Sequence, residues 1–376
     1  MATAKKAGAK SAPAKKTRVA VAAESKPRTR RVWLGDAEKD EDEGQQASSY
    51  FADVSAKSGL RFVSSGASIM DAALGGGWVL GRVVNLVGDR SAGKTLLAIE
   101  ACVNFHHRYP EGHIRYAESE AAFDEKYAEA LGLPVHAVDF DPDKPLKTIE
   151  DWYKDILEVM EKNKGKPILY VLDSLDALSD EAEAKREIDD GTYGGNKAKK
   201  LGEMFRRVVQ QMEQQEVLLV VVSQLRDKIN AMAFGEKQTR SGGRALDFYA
   251  SHIVWLAEIG KLKQTIGGVE RVIGVKVKAR VRKNKVGLPH RECEYPILFG
   301  YGVDDITAGV EWLIAVKCEH RLEELDMSKS GYKLRITNLR NKGGQPIREI
   351  RAKLNAIIAE EWQRIETSFL PKSGKY

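Results

Sequence analysis

The feature that most constrains this chain is a glycine-rich segment between two apolar stretches. Gly88 to Thr95 reads Gly-Asp-Arg-Ser-Ala-Gly-Lys-Thr, which fits the spaced pattern of a phosphate-binding loop. The apolar run 83–87 before it is suited to a buried strand, and residues 96–101 after it continue as a helix. Strand, loop and helix occur in the order that such a loop requires, so we prefer this interpretation to a chance glycine turn.

The loop predicts a site for ATP and magnesium. Its glycines let the backbone curl, so that N–H groups and the helix N-terminus face phosphate oxygens. Lys94 is expected to reach the terminal phosphates, and the Thr95 hydroxyl is expected to hold Mg²⁺. The predicted nucleotide contacts within the loop are Gly88, Asp89, Arg90, Ser91, Ala92, Gly93, Lys94 and Thr95.

A second part of the site is predicted from the apolar run Ile168–Asp173, which ends in a carboxylate. An acid at the carboxyl tip of a strand beside a phosphate-binding loop is suited to the magnesium shell. Hydrolysis also needs a group that orients the attacking water, and Glu118 and Glu120 at the end of the preceding strand both qualify. Gln224, just past another strand, is either a sensor of the terminal phosphate or a surface glutamine.

The composition is that of a soluble globular protein, with 43% hydrophobic and 30% charged residues among 376. The apolar run 217–222 is too short to span a bilayer, and the N-terminus lacks the apolar core of a signal peptide. The three cysteines are widely spaced and odd in number, which argues against a disulfide framework. We therefore expect a cytoplasmic protein without a membrane partner.

The net charge of +6 is concentrated at the N-terminus. Residues 1–31 hold ten Lys or Arg against one acid, and an acidic cluster follows at 36–43. This low-complexity arm is expected to be disordered when free. It is either a solubilising tail or a phosphate-binding arm for nucleic acid, and we favour the second.

Beyond the loop, apolar strand patterns alternate with helical patterns, which predicts an α/β fold with a mostly parallel sheet. The predicted strands are 113–118, 135–140, 167–173 and 217–223, and the predicted helices are 121–131, 148–162 and 199–214. After residue 249, extended stretches predict antiparallel additions at the sheet edge, at 252–258, 269–281 and 292–299. A small helix-rich C-terminal domain is predicted from 303, with helices at 311–316 and 349–367.

Together these motifs resemble the RecA-type recombinases of bacteria and their phage-encoded UvsX-like relatives. The resemblance runs from about residue 62 to 302. Besides the loop itself, it is carried by the motifs at 65–66, 73–75, 118–124, 173–174, 223–226, 242–246, 248–251 and 283–285. It implies a RecA-like P-loop ATPase core that forms a helical filament on single-stranded DNA and promotes homologous pairing and strand exchange with double-stranded DNA.

The resemblance also assigns residues that the chemistry alone left open. It implies a DNA-dependent ATPase in which Glu120 is the catalytic glutamate, acting with Lys94 and Gln224. Further ATP contacts are implied at Asp124 and Tyr127 for the adenine, and at Lys283 and Lys285, which would reach the ATP of the neighbouring subunit.

Two segments resemble the DNA-binding loops of the family, at about 187–197 and 226–244. A flexible, basic and sparsely apolar loop suits a single-strand groove, although without the resemblance a substrate lid or an ordinary mobile loop would fit as well. The implied DNA contacts are Tyr193, Lys199, Arg206, Arg226, Lys228, Ile229, Arg240, Gly242, Gly243 and Arg244.

The chain departs from the family at Asp247, where bacterial relatives usually carry a lysine near the subunit interface. The predicted segments are a basic arm with an acidic linker at 1–44, an N-terminal interface segment at 45–61, the core at 62–302 and a C-terminal domain at 303–376. Two other functions remain open at this point. They are a ring-forming DNA motor or helicase on the same fold, and a non-catalytic recombination mediator.

Overall fold

The computed structural model describes residues 59–119, 123–185, 196–227, 238–240 and 242–373. Its strands are β1 (Phe62–Val63), β2 (Trp78–Val79), β3 (Val83–Gly88), β4 (His113–Glu118), β5 (Val138–Asp139), β6 (Ile168–Asp173), β7 (Val217–Asp227), β8 (Gln238–Arg240), β9 (His252–Ile266), β10 (Val269–Asn284), β11 (Glu292–Leu298) and β12 (Gly302–Val303). Its α-helices are α1 (Ser68–Leu74), α2 (Lys94–Arg108), α3 (Glu125–Ala130), α4 (Ile149–Lys162), α5 (Glu181–Lys185), α6 (Asn196–Gln214), α7 (Gly243–Tyr249), α8 (Asp305–Ala315), α9 (Tyr332–Lys342) and α10 (Gly344–Ser368). Short 3-10 helices span Val135–Ala137, Leu175–Ala177 and Glu319–Leu325.

A ten-stranded sheet organises the fold, in the order β12-β11-β10-β9-β3-β7-β6-β4-β5, with β8 paired to β7. The strands from β9 to β5 run parallel to one another, whereas β10, β11 and β12 continue the sheet antiparallel. This confirms the expected α/β fold with a mostly parallel sheet, antiparallel edge strands and C-terminal helices. One detail differs from the expectation, because β9 is itself parallel to β3 and antiparallel pairing begins only with β10.

The central strands are apolar because helices cover both faces of the sheet. Along β7, successive side chains point to opposite faces. Val220 therefore packs in the same buried cluster as Leu97 of α2. Val221 packs in a second cluster with Trp152 of α4 and Phe205 of α6. A strand buried in this way shows a continuous apolar run instead of alternation, which is why β6 and β7 were predicted from sequence.

Element boundaries follow local capping where a cap exists. Thr148 and Asp151 form a reciprocal capping box at the start of α4, and the predicted and observed helices nearly coincide. The predicted strand 135–140 is largely wrong. Residues Val135–Ala137 form a 3-10 helix and only β5 is extended, because this edge strand pairs with just two residues of β4.

The C-terminal helices share the core of the sheet in the described part of the chain. Val310 of α8 and Ile358 of α10 belong to the same buried cluster as Leu86 of β3. α8 begins six residues earlier than predicted, because the Asp304 side chain accepts a hydrogen bond from Thr307 N at 3.4 Å and caps the helix. None of the helices in the described ranges combines the length and apolarity needed to cross a membrane.

Buried carboxylates join α1 to the segment before it and to α8. Asp71 is 4% exposed and accepts hydrogen bonds from Ser64 Oγ at 2.5 Å and from Ser65 N at 2.7 Å. Asp305 accepts from Ser68 N at 2.7 Å and from Ser68 Oγ at 2.8 Å. Burial raises the pKa of Asp71 to about 7, outweighing the lowering effect of its hydrogen bonds.

Folding stability is therefore expected to decrease as pH rises through neutrality. Because the pKa of Asp71 is raised in the folded state, its contribution is fully present below about pH 4 and is lost as pH rises through about 7. Asp71→Asn removes this ionisation, so its free energy of unfolding should decline less between about pH 5 and 8, by up to about 3 kcal/mol. Urea unfolding across that range measures the difference. The exposed Asp143→Asn serves as control and should follow the wild type, whereas equal slopes for Asp71→Asn and wild type would contradict the assignment.

Candidate nucleotide and DNA-binding site

Four predicted site residues lie at one edge of the sheet, where parallel strands end. Gly88 is opposite Gln224 in the register of β3 and β7, and Glu118 is opposite Asp173 in the register of β4 and β6. Because β6 and β7 are adjacent, the two pairs share one edge. Ligands of open α/β sheets bind outside the carboxyl ends of the strands, so this edge is the candidate site.

The phosphate-binding loop has the backbone that its glycines predict. Gly93 is left-handed, with φ of +81°, directly before α2. A Cβ on Gly88 would lie 2.7 Å from the carbonyl oxygen of Leu256, so only glycine fits beside β9. Lys94 Nζ donates to the carbonyl oxygen of Asp89 at 2.7 Å, which holds the ammonium against the loop. The loop thus combines a helix N-terminus with a cation, and both features favour phosphate binding.

Thr95 and Asp173 meet as a magnesium site requires. Thr95 Oγ1 donates to Asp173 Oδ2 at 2.8 Å, and Tyr116 OH donates to the same oxygen at 2.9 Å. Mg²⁺ prefers oxygen ligands and often binds one or two protein groups together with nucleotide phosphates. The Thr95 hydroxyl and the Asp173 carboxylate therefore fit the metal. Over the described ranges, no cluster of three or more His, Cys, Asp or Glu suited to a separate metal site is found.

Tyr116 is a site residue that the sequence analysis missed. Its side chain is buried on β4, and burial raises the pKa of the phenol, which therefore stays a neutral donor. It lies two residues before Glu118, the register partner of Asp173. The available signal is a tyrosine inside an apolar strand, because a buried hydroxyl usually finds a hydrogen-bond partner.

The described residues on either side of Glu120 are held by hydrogen bonds. Glu120 itself lies outside the described residues. Before it, Ser119 N donates to the carbonyl oxygen of Asp173 at 2.9 Å, and Ser119 Oγ donates to that of Ser174 at 2.7 Å. After it, Phe123 N donates to Glu118 Oε1 at 2.6 Å. The carboxylate of Glu118 is thus engaged in a hydrogen bond with the backbone of Phe123.

The two predicted adenine contacts lie together at the start of α3. Asp124 is exposed and caps this helix, since its Oδ1 accepts a hydrogen bond from Tyr127 N at 3.1 Å. Tyr127 is half-buried, and burial raises the pKa of its phenol, so its ring is neutral. In the loop, Asp89, Arg90 and Ser91 are exposed, whereas Ala92 is buried.

Lys283 and Lys285 lie away from the phosphate-binding loop of their own subunit. Lys283 pairs with Ile253 near the start of β9, and the loop follows the opposite, carboxyl end of β3. The Nζ atoms of both lysines donate to the carbonyl oxygen of Phe248 at the end of α7, at 3.1 and 3.0 Å. Burial, with the neighbouring charge of Lys285, lowers the pKa of Lys283 to about 8.

The predicted DNA contacts are only partly within the described residues. Lys199 and Arg206 are exposed and seven residues apart, which places them on one face of α6. Arg240 is enclosed and forms an ion pair with Asp247 of α7. Gly242 is buried with φ of +87° before α7, Gly243 starts that helix and Arg244 is exposed. Tyr193, Lys228 and Ile229 lie outside the described residues, as does the side chain of Arg226.

The fold and the site place this chain in the class of α/β proteins that have a P-loop nucleotide site at the carboxyl ends of parallel strands. The sequence model of the RecA N-terminal domain matches residues 38–304. Protein RecA of Wolinella succinogenes is 34% identical over 244 residues, or 64% of this chain and 66% of that protein. Protein RecA of Sulfurimonas denitrificans is 31% identical over 307 residues, or 80% and 82%. The chain belongs to the RecA family and spans about two thirds of the length of the Wolinella relative.

Proposed function

We propose that this chain is an ATP-dependent recombination protein that forms filaments on single-stranded DNA and catalyses homologous pairing and strand exchange. The observation that carries the proposal is the position of Gln224. It lies opposite Gly88 of the phosphate-binding loop, and two residues further along β7 is Arg226, where the second predicted DNA loop begins. One strand therefore joins the candidate nucleotide site to the segment that we propose binds DNA.

ATP and Mg²⁺ are the cofactors of this proposal. Lys94 and the backbone of the loop would bind the phosphates, while Thr95 and Asp173 would hold the metal. Mg²⁺, when bound, neutralises negative charge on the β- and γ-phosphates during transfer. Tyr116 orients the carboxylate of Asp173 through its hydrogen bond of 2.9 Å.

Glu120 is proposed as the base that orients the attacking water and takes its proton. The alternative base, Glu118, already accepts the Phe123 N–H at 2.6 Å. That contact gives Glu118 a positioning role, which supports Glu120 for the chemistry. Gln224 is proposed to sense the terminal phosphate and to transmit its presence to the adjoining DNA loop.

Filament assembly is proposed to complete the ATP site. Lys283 and Lys285 lie near the amino end of β3, whereas the phosphate-binding loop follows its carboxyl end. A head-to-tail arrangement of subunits brings two such different surfaces together and can continue as an open helix. The cations of one subunit would then stabilise charge on the phosphoryl group held by the next.

Single-stranded DNA is proposed to bind beside α6, where Lys199 and Arg206 are exposed, and at the predicted loops around 187–197 and 226–244. Cations and a few stacking side chains suffice for such a sequence-independent site. We propose that the chain is divided into an arm with a linker at 1–44, an interface segment at 45–61, the core at 62–302 and a C-terminal domain at 303–376. The basic arm within 1–44 would add salt-sensitive affinity for DNA. We further propose that the protein works in the cytoplasm, since DNA and ATP are found there.

ATP hydrolysis by the wild type should be strongly stimulated by single-stranded DNA, because only DNA-bound subunits assemble complete sites. Phosphate release is measured with and without a long oligonucleotide, and electron micrographs of the same samples should show open filaments. Turnover that is indifferent to DNA would contradict the proposal. Closed rings would favour a DNA motor, and DNA binding without any turnover would favour a mediator.

A further inference from the structure

Strand β7, the start of α6 and the end of the second predicted DNA loop meet at the short 3-10 helix Leu175–Ala177. This turn follows Asp173 almost directly. Within β7, Gln224 N donates to Asp176 Oδ2 at 2.7 Å. At the start of α6, Lys197 Nζ donates to the carbonyl oxygen of Leu175 at 2.9 Å and also to that of Leu178.

The third segment is the end of the second predicted DNA loop. Gly242 is buried there, and a Cβ on it would lie 2.9 Å from Leu175 Cδ2 and 2.5 Å from Leu246 Cδ1. The backbone at Gly242 is therefore packed directly against the turn.

The chemistry of these contacts makes them strong. A carboxylate that accepts a backbone N–H forms a charge-assisted hydrogen bond, which is about twice as strong as a neutral one. The Asp176 contact fixes the backbone of Gln224, and with it the direction in which the amide side chain leaves the strand. The Lys197 ammonium binds two carbonyl oxygens of the protein, whereas Lys199 and Arg206 on the same helix are exposed.

We propose that Asp176 and Lys197 are positioning residues that couple the predicted DNA-binding segments to Gln224, the proposed phosphate sensor on β7. The inference rests on the proposed DNA-dependent ATPase. Lys197 ends the first predicted DNA loop and ties its helix to the turn, and Asp176 ties the turn to Gln224. A shift of α6 on DNA binding thereby reaches Gln224 by a route separate from the continuous strand β7.

Coupling between two ligands is reciprocal. If the turn carries part of it, then the same variants should reduce the gain in DNA affinity on binding an ATP analogue. We expect the stimulation of ATP hydrolysis by DNA to fall with it, because hydrolysis depends on the DNA-bound state in the proposed function. A side chain that only supports the fold has no reason to change these two ratios in parallel. A side chain that only contacts DNA would lower the affinity in every nucleotide state.

The test compares Asp176→Ala, Asp176→Asn and Lys197→Met in the full chain, with Lys200→Met as matched control. Lys200 lies on the same helix and pairs with Glu150 at 3.4 Å. Phosphate release with and without poly(dT), and poly(dT) affinity with ADP or a non-hydrolysable ATP analogue, provide the two ratios. Binding of fluorescent ADP confirms that each variant folds.

For Asp176→Ala and Lys197→Met, both ratios should fall at least about fivefold, the lower end of usual coupling energies. Asp176→Asn should retain most of both, because its amide oxygen still accepts the Gln224 N–H. Lys200→Met should match the wild type. Unchanged ratios in Asp176→Ala, beside a wild type stimulated by DNA, would overturn the inference and leave the proposed function intact.

Two other outcomes are equally informative. A wild type without DNA stimulation would refute the proposed function itself. If Lys197→Met instead weakens poly(dT) binding equally in both nucleotide states and lowers its salt dependence, then Lys197 contacts phosphate and the coupling role is wrong for this residue.

Discussion

Glu120→Gln is expected to reduce DNA-stimulated ATP hydrolysis by about 10²- to 10⁴-fold, the usual contribution of a general base. Glutamine preserves the size of the side chain but cannot accept a proton from water. ATP binding should persist, because Lys94, Thr95 and Asp173 are untouched and the flanking Ser119 remains tied to β6. Phosphate release on saturating single-stranded DNA measures the loss, and fluorescent nucleotide binding measures retention of the site.

Glu118→Gln is the matched control for this prediction. Its amide oxygen still accepts the Phe123 N–H, so this contact is kept and the reduction should be much smaller. A severe loss in Glu118→Gln beside an active Glu120→Gln would transfer the catalytic role to Glu118. Comparable losses in both would show that the two carboxylates act together.

Lys283→Ala is expected to lower ATP hydrolysis by filaments of this variant by about 10³-fold or more. This is the usual contribution of a cation that a neighbouring subunit supplies to phosphoryl transfer. Its defect should be complemented by another inactive subunit. Glu120→Gln subunits still carry Lys283, and Lys283→Ala subunits still carry Glu120. An equal mixture should therefore regain about a quarter of wild-type activity, the share of head-to-tail interfaces that random mixing completes.

The mixing experiment separates a contact in trans from one in cis. If Lys283 served the ATP of its own subunit, then every site in the mixture would lack one group and no activity would return. Lys283→Arg should keep much of the activity, because the positive charge remains. Lys261→Ala removes an exposed lysine from β9 and should behave like the wild type.

Much of the fold and the centre of the site could be predicted from sequence because their signals are contiguous. The phosphate-binding loop is one uninterrupted segment between strand and helix, and Asp173 ends an apolar run. The helix that begins at Ile149 has its capping box within four residues. The strand predicted at 135–140 failed for the opposite reason. Its extent depends on how many residues of β4 it can pair with, and that number is not written locally.

The departure at Asp247 shows what a single position cannot tell. In the sequence, an acid stands where relatives usually carry a lysine near the subunit interface. In the structure this acid forms an ion pair with Arg240, and the Arg240 side chain is enclosed although the family resemblance implies that it contacts DNA. The Arg240–Asp247 pair joins β8 to α7, a role that neither residue indicates alone.

The sequence by itself determined the class of fold, the nucleotide-binding loop, the strand-end carboxylate and the family of the chain. The tertiary structure alone decided that Tyr116 orients Asp173, that Asp176 holds Gln224 and that the lysine pair lies away from its own phosphate-binding loop. Local patterns are set by neighbouring residues, through backbone preference and hydrophobic period. The contact of Asp176 with Gln224 joins residues 48 positions apart, and the contact of Tyr116 with Asp173 joins residues 57 positions apart. Both exist only because parallel strands bring their ends to one edge.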